Sequence, residues 1–187
     1  MLPFQFSRTT ICDLILIKPP KAGDQRGSMI KAFENEAFAE HGIHLAPAEE
    51  LESTSCRHTL RGLHFQHRNS QDKLIRVLAG EVYDVAVDLR PDSETFGKWQ
   101  GFCLSAENSQ MLYIPKRFAH GFLVLSSEAV LHYLCGDRYD PDSEDGIIWN
   151  DPDLAIDWPL EPGCVPVLSL RDQKFASFAD FCALIGM

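Results

Sequence analysis

Two histidines, His64 and His67, stand in the run "LRGLHFQH", after Arg61 and ahead of Lys73 and Arg76. Residues of these types support metal ligation, acid–base catalysis, or plain packing. Metal ligands must converge on one point, with imidazole nitrogens about 2.0–2.1 Å from zinc. On a strand, residues two apart share a face and residues three apart do not. His64 and His67 are three apart, so no metal is expected, and His67 reads as a packed or surface histidine. His64 is the better candidate for a base, because neighbouring cations disfavour the charged imidazolium and keep the ring neutral. A packed His64 fits the bare spacing equally well. Further on, "EVYDVAVDLR" puts Val82, Asp84, Ala86 and Asp88 on one strand face and Tyr83, Val85, Val87 and Leu89 on the other. An aspartate between valines needs a partner if it is buried. Asp84 is therefore expected in a polar cavity or facing water, and Asp84 and Gln66 are the residues that could assist His64.

The elements that must position these groups are short and mostly β. The segments "DLILIKP", "GDQRGSMIKAF", "KLIRVLAGEVYDVAVDLR", "FGKWQGFCLS", "QMLYIPKRFAHGFLVLS" and "AVLHYLCGDRY" read as strands at regular spacing, punctuated by Gly, Asn and Ser. "LAGEV" reads as a tight hairpin turn, "ENEAFAEHGI" as a short helix stopped by Gly42, and the tail from Asp172 as a helix with Phe175, Phe178 and Cys182 on one stripe. The pattern predicts a mainly β fold, a jelly-roll sandwich or barrel with a few short helices. With 187 residues and no linker or repeat, one domain over 1–187 is expected.

Net charge is −10, so a nucleic-acid partner is not expected, and an anionic ligand would require cations gathered locally. No apolar run reaches the ~18 residues of a membrane span. The six cysteines form no C-x-x-C pair, and the N-terminus lacks the features of a signal peptide. Reduced thiols in a cytoplasmic protein are expected.

The ordered series "GDQRG", "LRGLHFQ", "KLIRVLAGEVYDVAVDLR", "TFGKW", "LSAEN", "YIPKRFAHGFLVLS", "WNDP" and "SLRD" runs along nearly the whole chain. In it the sequence resembles the dTDP-4-dehydrorhamnose 3,5-epimerase family, metal-independent enzymes of cupin type. The resemblance implies proton abstraction and return beside the C4 ketone of a dTDP-linked 4-keto-6-deoxy sugar, at C3 and C5, with no cofactor. It implies His64 as proton acceptor, Tyr133 as donor and Asp172 as the carboxylate paired with the base. Without it, Tyr133 would read as a core tyrosine and Asp172 as a loop or cap residue. It also implies that Arg26, Arg61, Lys73, His120, Tyr139, Glu144 and Arg171 bind substrate, with Tyr139 stacking on the base. A homodimer is implied too, with N-terminal strands reaching the partner's site. Strict alternation would put Arg61 on the face opposite His64, and a bend at Gly62 would reconcile the two.

The chain departs from the family pattern in two places. Where the family reads "RGFFxE" this chain reads "RGSMIK", with Met29 and Lys31 at an aromatic and a glutamate position. Where it reads "QxNxSxS" this chain has Glu49 and Leu51 for Gln and Asn. Leu51 cannot hydrogen-bond a sugar or base edge, whereas Lys31 and Glu49 would compensate each other if close. The rival readings are an epimerase acting at one carbon or on another nucleotide 4-keto sugar, a metal-dependent cupin enzyme, and a non-catalytic nucleotide-sugar binder.

Overall fold

The computed structural model describes residues 3–187. Two antiparallel sheets face each other. One has six strands in the order β1 (Gln5–Arg8), β2 (Ile15–Lys18), β10 (Met111–Ile114), β7 (Lys73–Ala79), β12 (Glu128–Cys135) and β5 (Glu49–Cys56). The other has five, in the order β13 (Glu144–Gly146), β6 (Leu60–Gln66), β11 (Phe118–Val124), β8 (Glu81–Asp88) and β9 (Trp99–Ser105). A separate hairpin, β3 (Lys21–Asp24) with β4 (Gly27–Ile30), is exposed nearly throughout. This is the expected cupin-type jelly-roll sandwich.

The strand alternation of β8 is realised on both faces. Val82 and Ala86 enter the core between the sheets with Ile75, Leu112, Phe122 and Leu131. Val85, Val87 and Leu89 face outward, where Leu154, Trp158 and Phe181 from the C-terminal segment cover them. The outer face of the six-stranded sheet is covered similarly, by Phe38, Ile43 and Leu45 in and after helix α1 (Asn35–Ala39). Apolar cover on both faces is why these strands carry long hydrophobic runs instead of a clean alternation with polar residues.

Two elements differ from expectation. "LAGEV" turns tightly at Gly80 (φ +74°), where a Cβ would lie 2.0 Å from the Glu128 carbonyl oxygen. The turn does not make a hairpin, because β7 and β8 belong to opposite sheets; apolar residues on both sides of a turn do not tell pairing from crossing. The C-terminal helix, α2, spans only Phe178–Leu184, started by a Ser177–Asp180 capping box. Phe175 precedes that cap in extended backbone and is not on the helix stripe.

The sheet pairing also resolves the conflict at Arg61. His120 of β11 pairs with His64, yet Phe122, two residues on, pairs with Arg61, three residues back. One extra residue on β6 is a β-bulge, and it returns Arg61 to the inward face shared by His64. Gly62 at φ +132° makes the bulge, and a Cβ there would sit 2.5 Å from the Gly121 Cα.

Candidate active site

His64 and Tyr133 come from opposite sheets and both point into the sandwich. The His64 Nε2 lies 2.9 Å from Asp172 Oδ1. Asp172 opens a 3-10 turn (Asp172–Lys174) on a segment held to the sheets at both ends. Before it, Val167 bridges Thr59; after it, Ala176 bridges Ile147. Asp172 is thereby pinned, buried, against a strand more than a hundred residues away in sequence. Burial alone would raise its pKa, but the contacts with His64, Ser169 and the Gly62 backbone N–H outweigh that and hold the carboxyl below the usual carboxylate range. An ionised Asp172 fixes the hydrogen on Nε2, so Nδ1 keeps the free lone pair. Phe175 packs edge-on to the His64 ring, with centroids 5.6 Å apart.

The Tyr133 hydroxyl contacts Ser53 Oγ at 3.1 Å. Burial raises its pKa, more than the Ser53 contact lowers it. The tyrosine is therefore held in its protonated form, as a donor must be.

A cleft of about 670 Å³ opens at His64, lined by Arg61, His64, Tyr139, Glu144, Arg171 and Asp172 together with Glu49 and Leu51; Tyr133, Lys73 and His120 are not among its lining residues. Arg61 Nε donates to Ser55 Oγ at 3.0 Å. At the mouth, the Tyr139 hydroxyl donates to Glu144 Oε2 at 2.6 Å, and the Arg171 guanidinium pairs with the same oxygen. Lys73 is half-buried beside Cys135; burial lowers its pKa, and the charges of Glu144, Asp84 and Glu49 oppose that. Strand β5 supplies a row at alternate positions. Glu49 accepts from the Tyr139 backbone N–H at 2.6 Å, Leu51 is exposed in the cleft, Ser53 meets Tyr133 and Ser55 meets Arg61. The two serines were missed in the sequence, although the i, i+2 spacing of "ELESTS" marks one face.

Three further expected site residues stand apart from the substrate space. Arg26 is at the tip of the exposed hairpin, paired with Asp24 at 2.6 Å, and does not line this cleft. Gln66 does not face the substrate space, because its amide donates to the carbonyls of Asn69 and Arg138 and accepts from the Asp140 N–H. It supports the site indirectly by holding the loop that carries Tyr139. Asp84 is fully buried, and its two oxygens lie 3.0 and 3.1 Å from His120 Nε2. The partner required of a buried aspartate is thus His120, which sits beside His64 in the sheet, its ring 6.2 Å from that of Tyr133. His67 pairs separately with Asp145 at 2.9 Å. Nor do Lys31 and Glu49 compensate each other, since Lys31 pairs with Glu34 at 2.7 Å.

A half-buried histidine on a buried aspartate, with a protonated tyrosine on the opposite sheet of a jelly roll, fits an acid–base enzyme of cupin type. The model of the dTDP-4-dehydrorhamnose 3,5-epimerase family matches residues 8–180, and the chain belongs to that family. The chain is 47% identical over 175 residues to the dTDP-4-dehydrorhamnose 3,5-epimerase of Pseudomonas aeruginosa, covering 93% of this chain and 96% of that one. Among solved structures, it is similar to the dTDP-6-deoxy-D-glucose-3,5-epimerase of Legionella pneumophila in complex with dTDP-4-keto-L-rhamnose. That match has TM-score 0.93 and 44% identity over 97% of this chain and 96% of the other. A 3'-monoepimerase of Streptomyces bikiniensis in complex with dTDP-quinovose matches with TM-score 0.87 and 31% identity over 100% of this chain and 91% of the other.

Proposed function

We propose that this chain epimerises dTDP-4-dehydro-6-deoxyglucose to dTDP-4-dehydrorhamnose by moving protons at C3 and C5, beside the C4 ketone. The observation that carries the proposal is a carboxylate-backed histidine that lines the cleft from one sheet, with a protonated tyrosine turned into the same sandwich interior from the other sheet. Inversion at a carbon acid needs removal of a proton on one face and delivery on the other. His64 Nδ1 takes the proton, Asp172 stabilises the imidazolium, and Tyr133 returns a proton from the far side. Charge develops on the ketone oxygen in between, and Lys73 supplies a cation for it. Arg61 and Arg171 take the diphosphate, for which the planar guanidinium fork is suited. Arg171 must exchange part of its contact with Glu144 to do so. Tyr139 offers its ring to the base.

The partner is a second copy of the chain. The exposed hairpin carries Arg26, a cation with no role in its own cleft, and we assign it to the neighbouring protomer's cleft. No described helix is long and apolar enough to cross a membrane; action on a nucleotide sugar in the cytoplasm is part of the proposal. Incubation with dTDP-4-dehydro-6-deoxyglucose tests the reading. Wild type is expected to form dTDP-4-dehydrorhamnose, and His64→Asn to fall by roughly 10²–10⁴-fold. A His64→Asn variant with unchanged turnover would remove His64 as the base.

A further inference from the structure

A second cavity, of about 610 Å³, opens between the end of β1, the segment after α1 and the turn joining β10 to β11. It shares no lining residue with the cleft of His64. Four cations line it, Arg8, Arg90, Lys116 and Arg117, against the carboxylates of Asp13 and Asp72. Both carboxylates are committed. Asp13 pairs with Arg90 at 2.8 Å, and buried Asp72 accepts from the Tyr113 hydroxyl at 3.2 Å. Arg90 is also bound to Asp88, at 2.8 Å. Three cations remain: among the described residues Arg8 and Arg117 have no carboxylate within 4.0 Å, and Lys116 reaches Asp137 only at 3.7 Å. In a chain of net charge −10 this is a local inversion of sign on a concave surface.

The backbone adds an independent observation. Arg117 stands at φ +65°, in the left-handed region that few residues other than glycine, asparagine and aspartate adopt. It is held there from both sides: its N–H donates to Ser70 Oγ at 2.6 Å, and its carbonyl accepts from the Leu89 N–H at 3.1 Å. Asp13, on the same cavity, stands at φ +64°, where aspartate is tolerated, so the strained residue is Arg117. Fixed, unfavourable backbone of this kind concentrates at binding sites. A glycine at 117 would fold more easily but would bring no guanidinium.

We infer that this cavity is a second, non-catalytic anion site that takes a diphosphate-bearing small molecule. Two guanidinium forks and an ammonium suit adjacent phosphoryl groups. The volume is that of a small-ligand pocket. Its inner wall, with buried Ile11, Leu14 and Tyr113, leaves room for an organic group beyond the phosphates. The inference stands apart from the reaction assigned to the cleft.

Calorimetric titration of the full chain with pyrophosphate tests it, using two variant pairs. Wild type is expected to bind two equivalents per chain. Arg8→Gln with Arg117→Gly should lose one, by roughly tenfold or more in affinity, while turnover and melting temperature hold, since glycine relieves the backbone at 117. Arg61→Ala with Arg171→Ala should lose the other. Unchanged stoichiometry and affinity in the Arg8/Arg117 pair overturns the second site. Binding lost only there, and untouched in the Arg61/Arg171 pair, keeps the second site and counts against the reading of the cleft. Repeating the titration with thymidine diphosphate separates the sources: tighter binding at this site than pyrophosphate makes a nucleotide the ligand, and equal binding makes the diphosphate the recognised part.

Discussion

The division of labour proposed for His64 and Tyr133 rests on what surrounds each group. His64 is half-buried and backed by a carboxylate held ionised, so its second ring nitrogen is oriented and keeps the lone pair. Tyr133 is half-buried, with a neutral partner and a pKa raised by desolvation, so its proton is retained. Removing the tyrosine hydroxyl therefore blocks delivery and spares abstraction. In Tyr133→Phe, product formation is expected to fall by roughly 10²–10⁴-fold, while exchange of substrate hydrogen for solvent deuterium falls much less, because His64 can return what it took. Equal loss of both signals would mean that Tyr133 has another role. Glu49 offers a second residue-level test. Its Oε2 accepts from the Tyr139 N–H, an acceptor role that Gln fills equally, so Glu49→Gln removes only a negative charge from a cleft meant for a diphosphate. KM is expected to fall with kcat unchanged, and a rise in KM would show that the charge itself holds the site.

At the scale of elements, the bulge in β6 is what brings Arg61 and His64 to one face. Gly62→Ala is expected to cost about 1–3 kcal/mol by the overpacking it creates against Gly121, seen as a lowered melting temperature together with a raised KM. A variant with wild-type stability and KM would show that the bulge does not set the site. The bend was legible as a need, since alternation alone set Arg61 against His64, although its form as an extra residue was not. Alternation also gave the two faces of β8 and separated His64 from His67. The pairing of strands was less visible. Gly80 marks a turn in either topology, and only the long-range choice between sheets makes it a crossing. Asp172 was legible only by family likeness, because its position depends on two isolated bridges at Val167 and Ala176 that carry no periodic signal. Arg26 belongs to an element whose destination is not set within one chain.

Taken whole, the molecule buries ionisable groups that must stay neutral. Burial raises the pKa of Tyr133, and burial with Asp72 beside it raises that of Tyr113. A folded pKa above the unfolded value of about 10 means that the native state binds more protons above that pH. Stability from these tyrosines is complete below pH ~10 and is lost as pH rises beyond it. The melting temperature is expected to drop above pH ~10, less steeply in Tyr113→Phe. An equally steep drop in that variant would assign the alkaline loss to other groups.

The proposed reaction moves protons at two carbons flanking a ketone within one site. It is tested most directly by turnover of dTDP-4-dehydro-6-deoxyglucose in heavy water, with deuterium located by NMR. Deuterium is expected at both C3 and C5, and at neither in His64→Asn. Deuterium at one carbon alone would reduce the chain to a mono-epimerase, and none at either carbon would refute proton abstraction from this sugar.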